Sequence, residues 1–369
     1  MPSSKLSTQL APVQCCTCCT SIVADCNINL SNVSVAEKNC QVCALLLCAV
    51  KRHCNDDELN VQIVREGSAL KIGGKGPRIL RLCSDSGYYL QLICSRQSHY
   101  LLHIATTERS ADTGQDLQIS FPVLPEAENP ARFALLRAWL DWCDKSHDCN
   151  ECDTKSKVAL PTRLLYVGDP NPDVLRLYCP KKNNRVKYVA LSHCWGKLTD
   201  ENKRQFCTTN DNIKARINGF SFSELPRTFR DAVRVTRELG IQYLWIDSLC
   251  IIQWNKKDWE HESKRMEGVF TSAYCTIAAT SVVNSDTGFL ERNISSDYIY
   301  IQDASGRPFY VCTDIDDFDN HVEKARLNTR AWAMQERVLS RRTIHFSANQ
   351  TYFECGEGVY CENMTRLKR

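Results

Sequence analysis

Apolar and polar positions alternate along this chain with two different periods, and the change from one to the other divides it. Residues 1–14 show neither period and read as a disordered leader. A helical run is expected at about Val35–Lys51, inside a stretch, 15–54, that holds nine cysteines. Residues 59–107 read as short antiparallel strands, at Val61–Arg65, Ile79–Cys83, Tyr88–Cys94 and Leu101–Thr106. Gly73-Gly74, Gly76-Pro77 and Ser86-Gly87 supply the turns. The polar, proline-containing stretch 108–129 reads as a linker. Helical spacing returns at Ala131–Cys143, where Phe133, Leu136, Leu140 and Cys143 share a face.

After a turn-rich segment, Pro161–Pro180, the pattern tightens. Val186–Ser192 is a compact apolar strand that ends at His193-Cys194-Trp195-Gly196. Pro226 suits a first helical turn, because its missing N–H has no intrahelical acceptor there. Phe229, Ala232, Val233 and Thr236 form the buried face of that helix, and Gly240 stops it. An apolar strand at Ile241–Ile246, a helix at about Asp258–Phe270 and a strand at Tyr274–Ala279 follow. Strands and helices alternating with short joints predict a parallel, buried sheet with flanking helices. The remainder reads as a strand at Pro308–Cys312, an acidic loop at Asp314–Asp319, a helix at about Thr329–Leu339, and strands at Thr343–Phe346 and Thr351–Cys355. The expected organisation is a leader (1–14), a Cys-rich helix plus antiparallel β region (15–125), a lead-in helix and linker (126–184), and an α/β domain (185–369).

Composition narrows this picture only a little. Hydrophobic content of 43% and charged content of 24% suit a globular chain with a substantial core. A net charge of +3 over 369 residues argues against nucleic acid or an anionic membrane as the dominant partner. Lys181–Lys187 reads as a solvated turn. The 22 cysteines lie in a long chain whose start has no apolar signal core, so a cytoplasmic protein with mostly reduced thiols is expected. The apolar run Cys43–Val50 is far short of a membrane span.

Three segments, in order, carry a family resemblance: Tyr188–Gly196 (YVALSHCWG), Leu225–Gln253 with its continuation Trp259–Ala279, and Arg330–Cys355, which opens RAWAMQERVLSRR. Together they resemble the fungal heterokaryon-incompatibility (HET) domain over roughly residues 185–355. His193 departs from the family pattern, which has Tyr there. The resemblance implies a cell-death and nonself-recognition signalling protein with a fold like Toll/interleukin-receptor (TIR) domains, a flavodoxin-like parallel sheet. Such domains assemble with protein partners or with themselves, and some cleave NAD. A NAD glycohydrolase activity is one implication, and a non-catalytic assembly module is the other. Such proteins often carry further C-terminal regions, so the sequence reads as a short form or a fragment.

Several residues are candidates for chemistry. Asp247 follows an apolar strand, and carboxyl ends of parallel strands face ligand crevices; the alternative is a helix-capping or turn role. Glu262 lies one turn after Trp259, and a carboxylate beside an indole suits acid–base or ion-stabilising work. A TIR-like Glu after a Trp, and stabilisation of an oxocarbenium-like state in NAD cleavage, are what the resemblance adds. The alternative is a solvated Glu paired with Lys264 or Arg265. Ser192, Trp195 and Gly196 close the first strand, and Gly196 allows a close approach of a ligand or of another element. Arg330, Gln335 and Glu336 combine an anion-binding guanidinium with polar groups on a short helix; a structural Arg–Glu pair fits equally. His193, Cys194, Cys250 and Asp247 raise thiol chemistry, but adjacent strand residues point to opposite faces. Two clusters have zinc-like spacing, Cys15/Cys16, Cys18/Cys19, Cys40 and Cys43, and Cys143, His147, Cys149 and Cys152. A structural zinc is therefore a possible cofactor.

Overall fold

The computed structural model describes residues 28–29, 40–51, 62–66, 69–72, 78–84, 130–146, 160–181, 184, 186–197, 199–292, 298–302, 308–363 and 366–367. The chain forms two compact units. The smaller contains residues 1–125, 295–316 and 363–365; the larger contains 126–294, 317–362 and 366–369.

In the smaller unit a helix at Gln41–Lys51 covers a six-stranded antiparallel sheet. The sheet runs in the order Ile28–Asn29, Gln62–Glu66, Ala69–Ile72, Arg78–Ser84, Pro308–Thr313, Tyr298–Gln302. Val42, Leu46 and Val50 of the helix bury against Ile63, Leu70, Leu80 and Val311. The strands described within 62–84 are antiparallel, as the reading of 59–107 expects, but two strands of the sheet, Tyr298–Gln302 and Pro308–Thr313, come from the stretch expected in the α/β domain. The strands expected at Tyr88–Cys94 and Leu101–Thr106, the leader and the 108–129 linker lie outside the described residues, as do all but Cys40 and Cys43 of the first cysteine cluster.

The larger unit opens with helix α1 (Pro130–Ser146) and the hairpin β1 (Leu164–Tyr166)–β2 (Val174–Tyr178). Strand β3 (Val189–Ser192) is buried throughout. Helices α2 (Asp200–Phe206) and α3 (Ile213–Asn218) and the short strand β4 (Phe220–Ser221) come next. Helix α4 (Arg227–Glu238) buries Phe229, Ala232, Val233 and Thr236, the face its spacing predicts, and Gly240 takes φ 74° just beyond its end. Strand β5 (Tyr243–Trp245) runs straight into the helical turn α5 (Asp247–Cys250). The single helix expected at 258–270 is two, α6 (Lys256–Ser263) and α7 (Met266–Ser272). Strand β6 (Cys275–Ala278) follows, then helix α8 (Ala331–Leu339) and strands β7 (Arg342–Phe346), β8 (Thr351–Cys355), β9 (Gly358–Cys361) and β10 (Arg366–Leu367).

These strands form one ten-stranded sheet in the order β10-β9-β8-β7-β6-β3-β5-β1-β2-β4. Only the three central pairings, β7–β6, β6–β3 and β3–β5, are parallel. The other six are antiparallel, so the expectation of a parallel sheet holds for its centre and fails for both wings. Four of the six are hairpins, whose short turns permit only antiparallel return, while β1–β5 and β2–β4 join segments distant in the chain. One hairpin lies inside the segment expected to be merely turn-rich. Strands β3, β6 and β7 have no exposed residue, as expected for parallel strands covered on both faces. Ala190 and Trp245 pack on Val269 and Phe270 of α7. Across the unit, Trp139 of α1 stacks on Phe353 of β8 with ring centroids 5.7 Å apart.

Candidate functional site

The register of the central strands decides which side chains meet. Val189 and Ala190 of β3 pair with Leu244 and Trp245 of β5, and Ser192 pairs with Ala278 of β6. Ser192 and Asp247 therefore leave the carboxyl edge of the sheet at the same level. The chain bends at each place: β3 continues into His193–Gly196, and β5 into α5.

Ser192 is buried and its hydroxyl donates to the Glu336 carboxyl, 2.5 Å away. The partner comes from α8, 144 residues later in the chain. Glu336 is held at about 7, well above an ordinary glutamate. Burial is the main cause and the negative charge of Asp247 adds to it, while the Ser192 hydrogen bond and Arg330 oppose it. Asp247 accepts the Trp195 indole N–H at 2.7 Å and the Ser248 backbone N–H at 2.6 Å. Its turn role and its strand-end position are thus the same position. Arg330, just before α8, donates to the His193 carbonyl at 2.8 Å. The guanidinium is exposed and has no other hydrogen-bond partner among the described residues. Ser192, Trp195, Asp247, Arg330 and Glu336, expected separately, form one polar cluster at the carboxyl edge of the sheet, the candidate crevice.

His193 lines the same crevice. Its ring stacks on Trp195 and meets Phe229 edge-on. Burial lowers its pKa, the Asp247 charge raises it and Arg330 lowers it further, so the imidazole is neutral at physiological pH. Its Nε2 is buried without a hydrogen-bond partner among the described residues.

The other expected residues fall elsewhere. Gly196 has φ 78°, and a Cβ there would overlap Asn284; the close approach is made by the 283–284 backbone. Gln335 is exposed and makes no hydrogen bond with a described residue. Glu262 is 2% exposed and Trp259 56%, which corrects the expectation that the indole provides the setting of the carboxylate. Nor is Glu262 a solvated helix residue. Arg163, which sequence reasoning missed, faces it at 3.5 Å and is bound to both Asp258 oxygens, at 2.7 and 2.5 Å. Arg163 also donates to the Cys250 carbonyl, and Asp258 accepts the Ile252 N–H. This ionic knot braces the chain between α5 and α6. Its signal in the sequence is weak, one Arg at the start of a short strand.

Burial pushes the Cys250 thiol up to about 12, so it stays protonated and is no nucleophile. Cys143 is buried in α1, and its expected zinc companions His147, Cys149 and Cys152 lie outside the described residues. Among the described residues no three His, Cys, Asp or Glu side chains converge as a metal site, and no helix is long and apolar enough to cross a membrane.

Neither a comparison with curated proteins nor one with solved structures gives a match. A comparison with family models does: residues 188–336, which run from the start of β3 to Glu336 and so contain the whole crevice, match the family described as heterokaryon incompatibility protein (HET).

Proposed function

We propose that the chain is a heterokaryon-incompatibility-type signalling protein of nonself recognition and cell death, and that its crevice cleaves NAD or a related nucleotide. One observation carries this reading: a near-neutral, partly buried Glu336 beside Asp247, at the carboxyl ends of parallel strands. Taken in chain order, the four parallel strands lie second, first, third, fourth across the sheet. That is the order of flavodoxin-like doubly wound sheets, whose ligands bind where the winding reverses, between the first and third strands. Ser192 ends the first strand, which supports a TIR-like reading of the core.

In this site the bond between the ribose and the nicotinamide nitrogen breaks, and nicotinamide leaves with the bonding pair. The Asp247 charge stabilises the oxocarbenium-like ribose, and Glu336 takes the proton of the water that adds to it. Arg330 offers its remaining N–H groups to phosphate. Glu262 supports the site through Arg163. The test is expression of the chain with cell viability and NAD measured together. Glu336→Gln is expected to abolish both NAD loss and toxicity. Full toxicity with unchanged NAD overturns the catalytic reading.

A second reading, a non-catalytic assembly module, is favoured by Trp332, Met334 and Val338, large apolar side chains exposed on α8. It expects Val338→Asp to abolish self-association and signalling while Glu336→Gln leaves both intact.

A further inference from the structure

Trp254 has φ 58°, and it is the one residue other than glycine with a positive φ among the described residues. A side chain with a Cβ is disfavoured there, so the conformation persists only where something else fixes it. Core packing does not account for it, because Trp254 is 46% exposed. Its indole N–H has no acceptor among the described residues. Its ring partner is Arg204 of α2, whose guanidinium carbon lies 4.5 Å from the ring centroid. Arg204 is itself exposed and makes no hydrogen bond or ion pair with a described residue.

The pair is fastened to the crevice. Gln253, the preceding residue, donates its side-chain amide to the carbonyls of Asp247 (3.3 Å) and Ile251 (3.1 Å). The Gln253 backbone N–H donates to the Thr208 carbonyl, two residues past α2, and Thr208 in turn donates its N–H to Ser248. The loop that presents Trp254 is therefore tied to the Asp247 turn and to the segment that follows the Arg204 helix. An exposed aromatic ring with a guanidinium over it suits a planar base joined to phosphate: the ring stacks and the cation attracts the anion.

We propose that Trp254 is the nucleobase-stacking residue of the crevice, with Arg204 on the phosphate side and the ribose toward Asp247 and Glu336. The proposal rests on the nucleotide reading given above. It adds that recognition extends beyond the carboxylates to an aromatic base, so a ribose phosphate without a base is a poor ligand.

Glycine and asparagine both tolerate positive φ, so Trp254→Gly and Trp254→Asn remove the ring without adding backbone strain. The experiment uses the full chain with Glu336→Gln to prevent turnover, and NAD as the probe in titration calorimetry. Both variants are expected to melt no lower than the parent. Both are expected to bind NAD at least threefold more weakly, and about tenfold if stacking has its usual strength. A loss below threefold in both overturns the assignment of Trp254 and leaves the nucleotide reading standing. A lower melting temperature in both also overturns it, since Trp254 would then serve the fold. If the parent does not bind NAD, the nucleotide reading fails and the stacking role with it.

Discussion

Glu336 is a carboxyl whose surroundings are at odds with its chemistry. Its ordinary value is 4.5, and in the folded protein it is about 7. Between those values the folded state keeps a proton that the unfolded chain has released. Stability attributable to this group therefore falls as pH rises through that window and is flat above it. Glu336→Gln removes the effect. Relative to the native chain the variant should gain on the order of 1–3 kcal/mol between pH 4.5 and pH 8. Denaturant unfolding of both proteins across that range measures it, and parallel profiles would sink the idea. Gly196 gives a second prediction. Alanine there must keep φ 78° and meets Asn284, so Gly196→Ala should cost about 2–5 kcal/mol through backbone strain and overpacking together. An unfolding midpoint unchanged from the native chain would refute that. Much of the crevice was legible at this scale. Asp247 was found from its strand-end position, and Ser192, Trp195, Arg330 and Glu336 from their segments. The contact between Ser192 and Glu336 was not, because nothing local encodes a hydrogen bond across 144 residues.

The interval from α5 to α7 shows what patterns reveal about elements and what they hide. Periodicity placed a helix at 258–270, but the chain breaks at Lys264–Arg265. The pattern offers Glu262 two settings, beside the Trp259 indole or in solvent with Lys264 or Arg265, and assigns Asp258 none. Instead Asp258 and Glu262 turn inward to Arg163, since a buried guanidinium can satisfy two carboxylates that water would otherwise hold. A binary apolar–polar pattern cannot record such a reversal. The two ends of the knot are expected to differ in cost. Arg163→Met leaves the buried Glu262 and the partly buried Asp258 without their cation and should destabilise by about 3–5 kcal/mol. Glu262→Gln leaves Arg163 bound to Asp258 and should cost about 1 kcal/mol. Equal costs, measured by chemical denaturation, would mean that Glu262 and not Asp258 is the main partner of Arg163. The hairpin β1–β2 was hidden for another reason. Strand β1 is three residues long, too short for an alternation to stand out from the turns around it.

For the whole molecule, the stretch that matches the HET family and the stretch that folds have different limits. The match ends at residue 336, whereas the fourth parallel strand, β7, begins at Arg342. Helix α1 and hairpin β1–β2 precede the match, and β8–β10 follow it. These outer parts belong to the core. Arg132 of α1 donates to the Leu290 carbonyl and to Thr351, Arg342 is paired with Asp144 of α1, and Arg292 holds the buried Glu362 by two hydrogen bonds at 2.7 and 2.8 Å. Glu362 lies well below the ordinary glutamate range, at about 2, because Arg292 and Arg132 surround it. A fragment limited to residues 186–340 would leave Arg292 without its carboxylate and expose the unpaired edges of β5 and β6. Exposed edges of apolar strands recruit other chains. The fragment should therefore lack a cooperative unfolding transition and aggregate, whereas the full chain unfolds cooperatively. Circular dichroism during urea titration, together with light scattering, distinguishes the two outcomes. A monomeric fragment with a sharp transition would show that the parallel centre folds without its antiparallel wings. The crevice residues lie within the family match, but the core that holds them in register extends beyond it at both ends.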